Sequence, residues 1–271
     1  MGQPAAALQK NQRPSLSPAL KWAGGKRWQL PILKELWKRE NGRRLVEPFC
    51  GGLAVTLGLV PERALLNDIN PHLINFYVWV KSGLKISIEM RNDKDLFYCQ
   101  RSRFNELLRS RKQQSREAAS LFYYLNRTGY NGLCRFNQSG EFNVPFGRYT
   151  TINYKREFNL YKSVFNDWKF SNVRFDDVKL KQDDFVYADP PYDVEFTQYS
   201  EGGFAWEDQI RAAELFARHD GPVILSNQAT KRIVELYADL RYQLIKLNAP
   251  RRISRTGDRS AAKEVLALRN L

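Results

Sequence analysis

The fold of this chain is indicated most directly by one stretch, Asp184-Phe185-Val186-Tyr187-Ala188-Asp189-Pro190-Pro191-Tyr192. The part from Asp184 to Ala188 is short and rich in β-branched and aromatic residues, which is typical of a buried strand. Two prolines end it, because each fixes φ and lacks an N–H donor, so that neither a ladder nor a helix can continue. The sequence therefore predicts Asp189 at the carboxyl end of a strand, where open α/β sheets bind their ligands.

The turn after this strand offers a ligand three groups: the Asp189 carboxylate, the Pro190 carbonyl and the Tyr192 ring. Together they suit a flat heterocycle with an exocyclic amine. The lone pair of such an amine is delocalised into the ring, and the nitrogen becomes a nucleophile only when acceptors hold both of its N–H groups. A plainer interpretation is that the prolines only terminate the strand and that Tyr192 packs over it. Short motifs also match by chance, so this stretch alone leaves both interpretations open.

The charge of the chain points to a polyanionic partner. Its 271 residues include 43 Lys and Arg against 29 Asp and Glu, a net charge of 43 − 29 = +14. A surplus of this size favours nucleic acid as the partner, although a generally basic soluble protein would show it too. The length allows one large domain or a domain with a substantial insertion.

Cysteine and histidine usage excludes several classes of site. Cys50, Cys99 and Cys134 are far apart and lack CxxC spacing, which argues against a disulfide framework or a zinc site. The two histidines, His72 and His219, are too few for a His-rich metal site, and we expect His72 to be a partly exposed residue at a helix start. We find no apolar stretch of membrane-spanning length and no signal-peptide pattern, and therefore expect a cytosolic, soluble protein.

Two strand ends in the first quarter of the chain resemble a nucleoside site. Residues 1–18 look like a flexible tail, and a paired-glycine turn follows within Leu20 to Lys26. A strand over Arg44 to Phe49 leads into a glycine turn and a helix from about Ala54. A second strand, Ala64 to Asp68, ends in an acid, Asp68, which could accept hydrogen bonds from ribose hydroxyls. Neither GxGxxG nor GxxxxGK[ST] is present, so we expect adenosine without a pyrophosphate.

The middle of the chain predicts an inserted nucleic-acid reader. From Ile69 to about Asp167 the pattern is helical, with helices over Leu96 to Leu108 and Ala118 to Leu125 that carry many basic residues. A hairpin candidate follows within Asn126 to Tyr149, where Arg, Asn and aromatic side chains alternate. Such side chains suit hydrogen bonds to base edges and stacking on bases.

The remaining chain alternates between strands and helices. We predict strands over Phe170–Phe175, Pro222–Asn227, Tyr242–Leu247 and Glu264–Leu268, and helices over Trp206–Ala217 and Ala229–Leu240. This alternation predicts an α/β fold, a doubly wound sheet that an antiparallel hairpin closes.

Five motifs in one order resemble the Dam-type DNA adenine N6-methyltransferases, in that family's α arrangement. They are Trp22-Ala23-Gly24-Gly25-Lys26, Glu47-Pro48-Phe49-Cys50-Gly51-Gly52, Asn67-Asp68, Gly140-Glu141-Phe142-Asn143-Val144-Pro145-Phe146-Gly147 and Asp189-Pro190-Pro191-Tyr192. The family usually has a glycine where this chain has Leu53.

The resemblance implies a Rossmann-like methyltransferase sheet, S-adenosylmethionine as cofactor, no metal, and double-stranded DNA as the partner of a monomer. The catalytic, cofactor-binding domain would comprise 19–68 and 169–271, and the target-recognition domain 69–168, with its helices and β-hairpin. The reaction implied is methyl transfer to N6 of adenine within GATC, after the base has been flipped onto Tyr192 while Asp189 and the Pro190 carbonyl hold its amine.

The family's site residues carry over to this chain as follows. Catalytic residues would be Asp189, Pro190, Pro191 and Tyr192. Cofactor-binding residues would be Trp22, Ala23, Gly24, Lys26, Glu47, Pro48, Phe49, Cys50, Gly51, Gly52, Asp68, Phe175 and Asp189. DNA-binding residues would be Lys21, Tyr130, Asn131, Leu133, Arg135, Asn137 and Pro145, with Arg135 suited to a guanine.

Three alternatives share parts of this pattern. Cytosine N4-methyltransferases use the same amine chemistry but more often carry serine in place of Asp189. Enzymes that methylate RNA or a protein glutamine favour asparagine there and lack the hairpin. A DNA-binding module with a vestigial pocket is disfavoured because every expected catalytic group is present.

Overall fold

A computed structural model of the protein describes residues 16–193, 203–249 and 262–271. Of the predicted tail, residues 1–18, the first fifteen lie outside the described residues. The basic connection before the last strand lies outside them over 250–261.

One seven-stranded sheet forms the centre of the molecule. Its strands are β1 (Leu45–Glu47), β2 (Ala64–Asn67), β3 (Trp168–Ser171), β4 (Phe185–Ala188), β5 (Val223–Gln228), β6 (Gln243–Ala249) and β7 (Ala262–Arg269). Their order is β3-β2-β1-β4-β5-β7-β6, with β7 antiparallel to both of its neighbours and the other pairings parallel. The predicted α/β fold, a doubly wound sheet with a closing antiparallel hairpin, is confirmed.

The strand order reverses between β1 and β4, which are hydrogen-bonded neighbours. At such a switch point the connections leave the sheet in opposite directions and open a crevice beyond the carboxyl ends of the strands. The glycine turn after β1 and the proline turn after β4 therefore border the same crevice.

Helices cover both faces of the sheet. They are α1 (Leu30–Lys38), α2 (Thr56–Leu59), α3 (Pro71–Lys81), α4 (Lys94–Arg109), α5 (Arg116–Thr128), α6 (Asn159–Val164), α7 (Trp206–Ala217) and α8 (Lys231–Asp239). Because side chains alternate along a strand, Phe185 and Tyr187 of β4 join one buried cluster and Val186 and Ala188 the other. The first cluster includes residues of α1 and α3 to α6, and the second includes residues of α7 and α8.

Helix α3, the first after Asp68, packs on the sheet. Asn70 caps it by accepting hydrogen bonds from two backbone N–H groups of its first turn. The Tyr77 hydroxyl donates to the Gly51 carbonyl at 2.8 Å, and its ring stacks on Phe170 of β3 with centroids 5.5 Å apart. Since one core runs from the sheet into 69–168, the division of the chain into two functional domains stays a prediction.

The predicted reader consists of α4, α5 and a short hairpin. Asp93 and Ser115 cap the two helices. Within the hairpin, Phe136 and Phe142 form a single bridge, and the Asn137 N–H donates to the Glu141 carbonyl at 2.9 Å. The hairpin is therefore held by isolated bridges and a tight turn, rather than by the two strands that its apolar runs suggested.

Candidate active site

Asp189 lies at the carboxyl end of β4, as predicted, and is paired with Lys26. Its Oδ2 is 2.8 Å from Lys26 Nζ, and the two side chains are 19% and 4% exposed. Burial raises the pKa of Asp189 to about 6; the Lys26 ammonium opposes this rise and the nearby Glu264 carboxylate adds to it. Oδ1 of Asp189 is buried and has no hydrogen-bond partner in the described part of the chain. Asp189 thus commits Oδ2 to Lys26, while the Ser226 hydroxyl nearby also lowers its pKa and Oδ1 makes no direct hydrogen bond within the described residues.

The rest of the proline turn is anchored on both sides. The Tyr192 hydroxyl donates to Glu264 Oε1, and Lys26 Nζ lies 4.7 Å from the centre of the Tyr192 ring. The Pro191 carbonyl accepts a hydrogen bond from Gln209 Nε2 of α7 at 2.7 Å. Burial and the neighbouring acids raise the pKa of Tyr192 far above its usual value, so the hydroxyl keeps its proton and remains a donor.

Asp68 follows β2 and holds the glycine turn in place. Its Oδ2 accepts from the Gly51 N–H at 3.0 Å, and its Oδ1 accepts from the Asn70 N–H at 2.9 Å. Burial raises the pKa of this carboxyl. The two acids expected at the ends of β2 and β4 therefore both border the crevice.

The glycines of this turn make room for the Trp22 ring. A Cβ on Gly51 would lie 2.8 Å from Trp22 Nε1, and one on Gly52 would lie 2.8 Å from Trp22 Cβ. Gly51 also has φ +44°, a conformation that favours glycine. The motifs Trp22 to Lys26 and Glu47 to Gly52 are thus in contact with each other.

Leu53 adopts the conformation expected of the glycine that it replaces. Its φ is +59° and its side chain is 0% exposed. The left-handed backbone costs about 1–2 kcal/mol in a residue with a Cβ, whereas full burial of a leucine stabilises by about 1.5–3 kcal/mol. The departure from the family pattern therefore preserves the path of the turn.

Three phenylalanines cluster on the other side of the turn. Phe49 lies 5.4 Å from Phe175 and 5.5 Å from Phe204, measured between ring centroids. The prediction that Phe175 ends a strand was wrong: it begins a 3-10 turn, Phe175–Asp177, because the pairing of β3 with β2 ends at Ser171. Phe204 was not identified from the sequence, since no strand, helix or motif was predicted over Gly203 to Ala205.

The other predicted cofactor residues divide between the surface and the interior. Ala23 and Gly24 are exposed, whereas Cys50 is buried and its N–H donates to the Asn67 carbonyl at 2.8 Å. Glu47 is also buried and accepts a hydrogen bond from the Thr56 hydroxyl; burial raises its pKa to about 8. The backbone carbonyl of Pro48 accepts from Asn67 Nδ2 at 3.0 Å.

The predicted DNA-binding residues of the reader share one property, exposure to solvent. They are Tyr130, Asn131, Leu133, Arg135, Asn137 and Pro145. Within this group Arg135 is oriented by Asn143, whose Oδ1 accepts from Arg135 Nε at 2.7 Å and whose carbonyl accepts from Nη2 at 3.2 Å. Asn131 has φ +52°, a left-handed conformation that asparagine tolerates.

Lys21 joins the reader to the first glycine turn. Its backbone N–H donates to Asn126 Oδ1 at 2.8 Å, and its ammonium lies 3.7 Å from the centre of the Tyr149 ring. Burial and the charge of Arg127 lower the pKa of Lys21. The first glycine turn and the segment 126–149 are thus in direct contact through this residue.

His72 lies at the start of α3, as predicted, and is only partly exposed. Its ring stacks on Phe136 of the hairpin with centroids 4.7 Å apart, and burial lowers its pKa to about 4. The histidine is therefore neutral and fixes the hairpin against α3.

Several residues of the site were missed by the sequence analysis, above all Gln29, Gln209 and Glu264. The signal for Glu264 was present, because it is an acid at the start of the apolar run Glu264-Val265-Leu266-Ala267-Leu268. Charged residues are rarely fully buried unless they are paired.

The described residues contain no cluster of three or more His, Cys, Asp or Glu side chains arranged to bind a metal ion. Among these same residues, no helix combines the length and apolar character needed to cross a membrane.

The sheet order, the glycine turn and acid that follow β1 and β2, and the Asp-Pro-Pro-Tyr turn after β4 together define a Rossmann-like methyltransferase. Residues 22–253 match the model of the D12 class N6 adenine-specific DNA methyltransferases, and the chain belongs to that family. It is a DNA adenine methyltransferase, and S-adenosylmethionine is its methyl donor.

Named relatives support the assignment over almost the whole chain. The retron Ec67 DNA adenine methylase of Escherichia coli is 36% identical, and the match covers 93% of this chain and 91% of the relative. The DNA adenine methylase of Escherichia coli strain K12 is also 36% identical, with 92% and 94% covered. The type II methyltransferase M1.LlaDCHI of Lactococcus lactis subsp. cremoris is 36% identical, with 90% and 91% covered.

Proposed function

We propose that Asp189, Pro190 and Tyr192 bind the amine of the target adenine, and that Asp189 Oδ1 accepts one of its hydrogens. The observation that carries this assignment is the buried Oδ1 without a partner, at the carboxyl end of β4. An unpaired buried acceptor is costly, and a ligand N–H would satisfy it. Because Gln209 already occupies the Pro191 carbonyl, the Pro190 carbonyl is the acceptor for the second hydrogen.

The crevice fits a nucleoside cofactor. The Trp22 ring packs on the two glycines and borders the crevice. Asp68 provides carboxylate oxygens for ribose hydroxyls, and Phe49 and Phe175 provide aromatic faces for an adenine ring. S-adenosylmethionine, when bound, supplies a methyl group on a sulfonium. We assign Lys26 mainly to Asp189, since its ammonium donates to Oδ2 of that residue.

The chemical contribution of the protein is to hold and polarise the amine. Two acceptors draw the hydrogens of N6 out of the ring plane, so that its lone pair becomes available for bond formation. Positive charge then develops on N6, and the Asp189 carboxylate stabilises it within a largely dehydrated site. Asp189 must be ionised for this role, and with a pKa of about 6 it is ionised above neutral pH.

The buried position of Asp189 requires the adenine to leave the DNA stack. An adenine paired within a duplex cannot place N6 against an oxygen inside the crevice, so we infer that the base is flipped and stacks on Tyr192. Lys26 covers one face of that ring, and the base would take the other.

Sequence readout is assigned to the exposed residues of 69–168 together with Lys21. Arg135 is held in place by Asn143 and matches the two acceptors of a guanine edge. We propose GATC as the recognition sequence, and a monomer as the active form because one chain carries both the crevice and the reader. The bacterial relatives, DNA adenine methylases by name, favour action in the cytoplasm.

A direct test compares the wild type with Asp189→Asn on a duplex that contains one GATC, with labelled S-adenosylmethionine. We expect the variant to lose at least about 100-fold in the rate of transfer. Asp183→Asn, an exposed acid just before β4, is the matched control and should transfer at the wild-type rate. Equal rates for Asp189→Asn and the wild type would refute the assignment.

The specificity is tested in the same assay with four duplexes, each altered at one position of GATC. Mass analysis of the digested nucleosides identifies the methylated base. Label on N6-methyladenine from only the unaltered duplex supports GATC. Equal label from the altered duplexes would contradict GATC while leaving the chemistry of Asp189 intact.

A further inference from the structure

We propose that Glu264 is a positioning residue for Tyr192, and that Gln29 in turn orients Glu264. Glu264 would fix the plane of the Tyr192 ring, and thereby the plane in which the target adenine stacks. This inference rests on the proposed function, because it takes Tyr192 to be the stacking residue.

Glu264 reaches the proline turn because of the register of the last strand. β7 is antiparallel to β5, and Glu264 pairs with Gln228 at the carboxyl end of β5. It therefore lies at the edge of the sheet where Asp189 leaves β4. Its side chain is 6% exposed, and each of its oxygens has a partner: Tyr192 donates to Oε1, and Gln29 Nε2 donates to Oε2 at 3.0 Å.

Gln29 is held by the strands themselves. Its side-chain amide donates to Ser226 Oγ at 3.0 Å as well as to Glu264, and its Oε1 accepts from the Tyr187 hydroxyl at 2.9 Å. Gln29 is 1% exposed. Since its amide donors and its acceptor are in use, it cannot rotate without breaking buried hydrogen bonds. Neighbouring strands β4, β5 and β7 thus hold the Tyr192 hydroxyl in one place.

A purely structural role explains Glu264 poorly. Its neighbours in β7, Val265 and Leu266, are 0% exposed, so packing alone would favour an apolar side chain at position 264. Burying a carboxylate is unfavourable unless it makes charge-assisted hydrogen bonds. One of those bonds ends on the Tyr192 hydroxyl, the tip of the ring that Lys26 covers on one face. The buried charge therefore serves the orientation of the ring.

The test is a double-mutant cycle with Tyr192→Phe and Glu264→Leu, measured as the single-turnover rate of methyl transfer to a duplex that the wild type methylates. Tyr192→Phe keeps the ring but removes the hydroxyl, and we expect about a tenfold lower rate. Glu264→Leu should lower the rate by a similar factor in the wild-type background, and by less than about twofold when Phe already replaces Tyr192.

Further measurements separate positioning from folding. The KM for S-adenosylmethionine should change less than about twofold in Tyr192→Phe, because the lost hydroxyl does not contribute to binding of the cofactor in the ground state. Glu264→Gln keeps an acceptor for the tyrosine and should restore most of the rate lost in Glu264→Leu. Glu235→Leu removes an exposed acid on α8 and is the matched control, with wild-type rate expected.

Two outcomes would overturn the proposal. The first is a wild-type rate for Tyr192→Phe, a result that does not depend on whether Glu264→Leu folds. The second is an equal loss from Glu264→Leu in both backgrounds. In either case the wild type still methylates adenine and Asp189→Asn still does not, so the proposed function would stand while this inference failed.

Discussion

Replacing Lys26 by methionine should shift the pH dependence of methyl transfer by changing the ionisation of Asp189. The ammonium is 2.8 Å from Asp189 Oδ2 and is the main influence that lowers the pKa of that carboxyl. Methionine is close in length and carries no charge. Burial and the Glu264 carboxylate, which both raise the pKa, would remain.

The expected size of the shift follows from the contact distance. An opposite charge within hydrogen-bond distance lowers a carboxyl pKa by roughly 1–3 units, so its removal should raise Asp189 from about 6 to between roughly 7 and 9. At pH 7 the ionised fraction would fall from about nine tenths to about one tenth if the new pKa is about 8. The rate at pH 7 should then drop about tenfold and recover largely above pH 9.

The assay is the single-turnover rate of methyl transfer between pH 5 and 10 at saturating S-adenosylmethionine, which removes effects on cofactor affinity. Lys34→Met, an exposed lysine of α1, is the control and should keep the wild-type profile. A loss of rate in Lys26→Met that is the same at every pH would contradict the expected rise in the pKa of Asp189. Such a result would mean that Lys26 acts in some way other than through the charge of Asp189.

The stability of the cofactor-free protein gives an independent check. The pKa of Asp189 is higher in the fold than its ordinary value of 3.8, so its stabilising effect is complete below pH 3.8 and is lost as pH rises through the folded pKa. Because Lys26→Met raises the pKa of Asp189 further, the variant continues to lose stability at pH values where the wild type no longer does. The difference in Tm between variant and wild type should therefore be larger at pH 9 than at pH 5.

Three further predictions concern other parts of the site. Burial raises the pKa of Glu47 in the folded state to about 8, so the wild type should lose about 5 kcal/mol of stability between pH 4.5 and about 8, and Glu47→Gln should lose much less. Urea unfolding at several pH values measures the free energy of unfolding. An equal dependence on pH in variant and wild type would argue against a buried neutral Glu47. Leu53→Gly should destabilise the fold by about 1–3 kcal/mol, because the burial that is lost exceeds the backbone strain that is relieved. Val60→Gly should be near neutral, because Val60 has a similar φ of +49° but is only half-buried. Equal effects of the two substitutions would contradict the larger contribution of burial at Leu53. Arg135→Ala should reduce discrimination for guanine by about 1–3 kcal/mol in methylation of site variants, and unchanged discrimination would contradict its role.

Outside the hairpin, local patterns in the sequence predicted the alternation of strands and helices. The helix predicted over Trp206–Ala217 has those bounds, because its apolar period and its flanking residues are local features. Strand ends were less predictable: the first strand was expected over Arg44 to Phe49 and is limited to Leu45–Glu47. A strand ends where its partner's hydrogen bonds end, and a partner far away in the chain leaves no local signal.

The motifs located the crevice but not its internal contacts. Asp189, Asp68 and the glycine turn were each expected at a strand end that binds a ligand, and the family resemblance implied that all of them bind the cofactor. The pairing of Lys26 with Asp189 was not predicted, since 163 residues separate them. In the same way the sequence showed only that Leu53 replaces a glycine, and the backbone conformation shows why the turn survives.

The amino-acid sequence alone was enough to establish the fold class, the family and the residues of the proline turn, since these depend on periodicity, backbone restrictions and short motifs. Tertiary structure alone revealed how the turn is held. Glu264 is 72 residues from Tyr192 and 235 from Gln29 in the chain. Only the antiparallel register of β7 against β5 brings them together, and that register depends on burying both faces of the sheet at once.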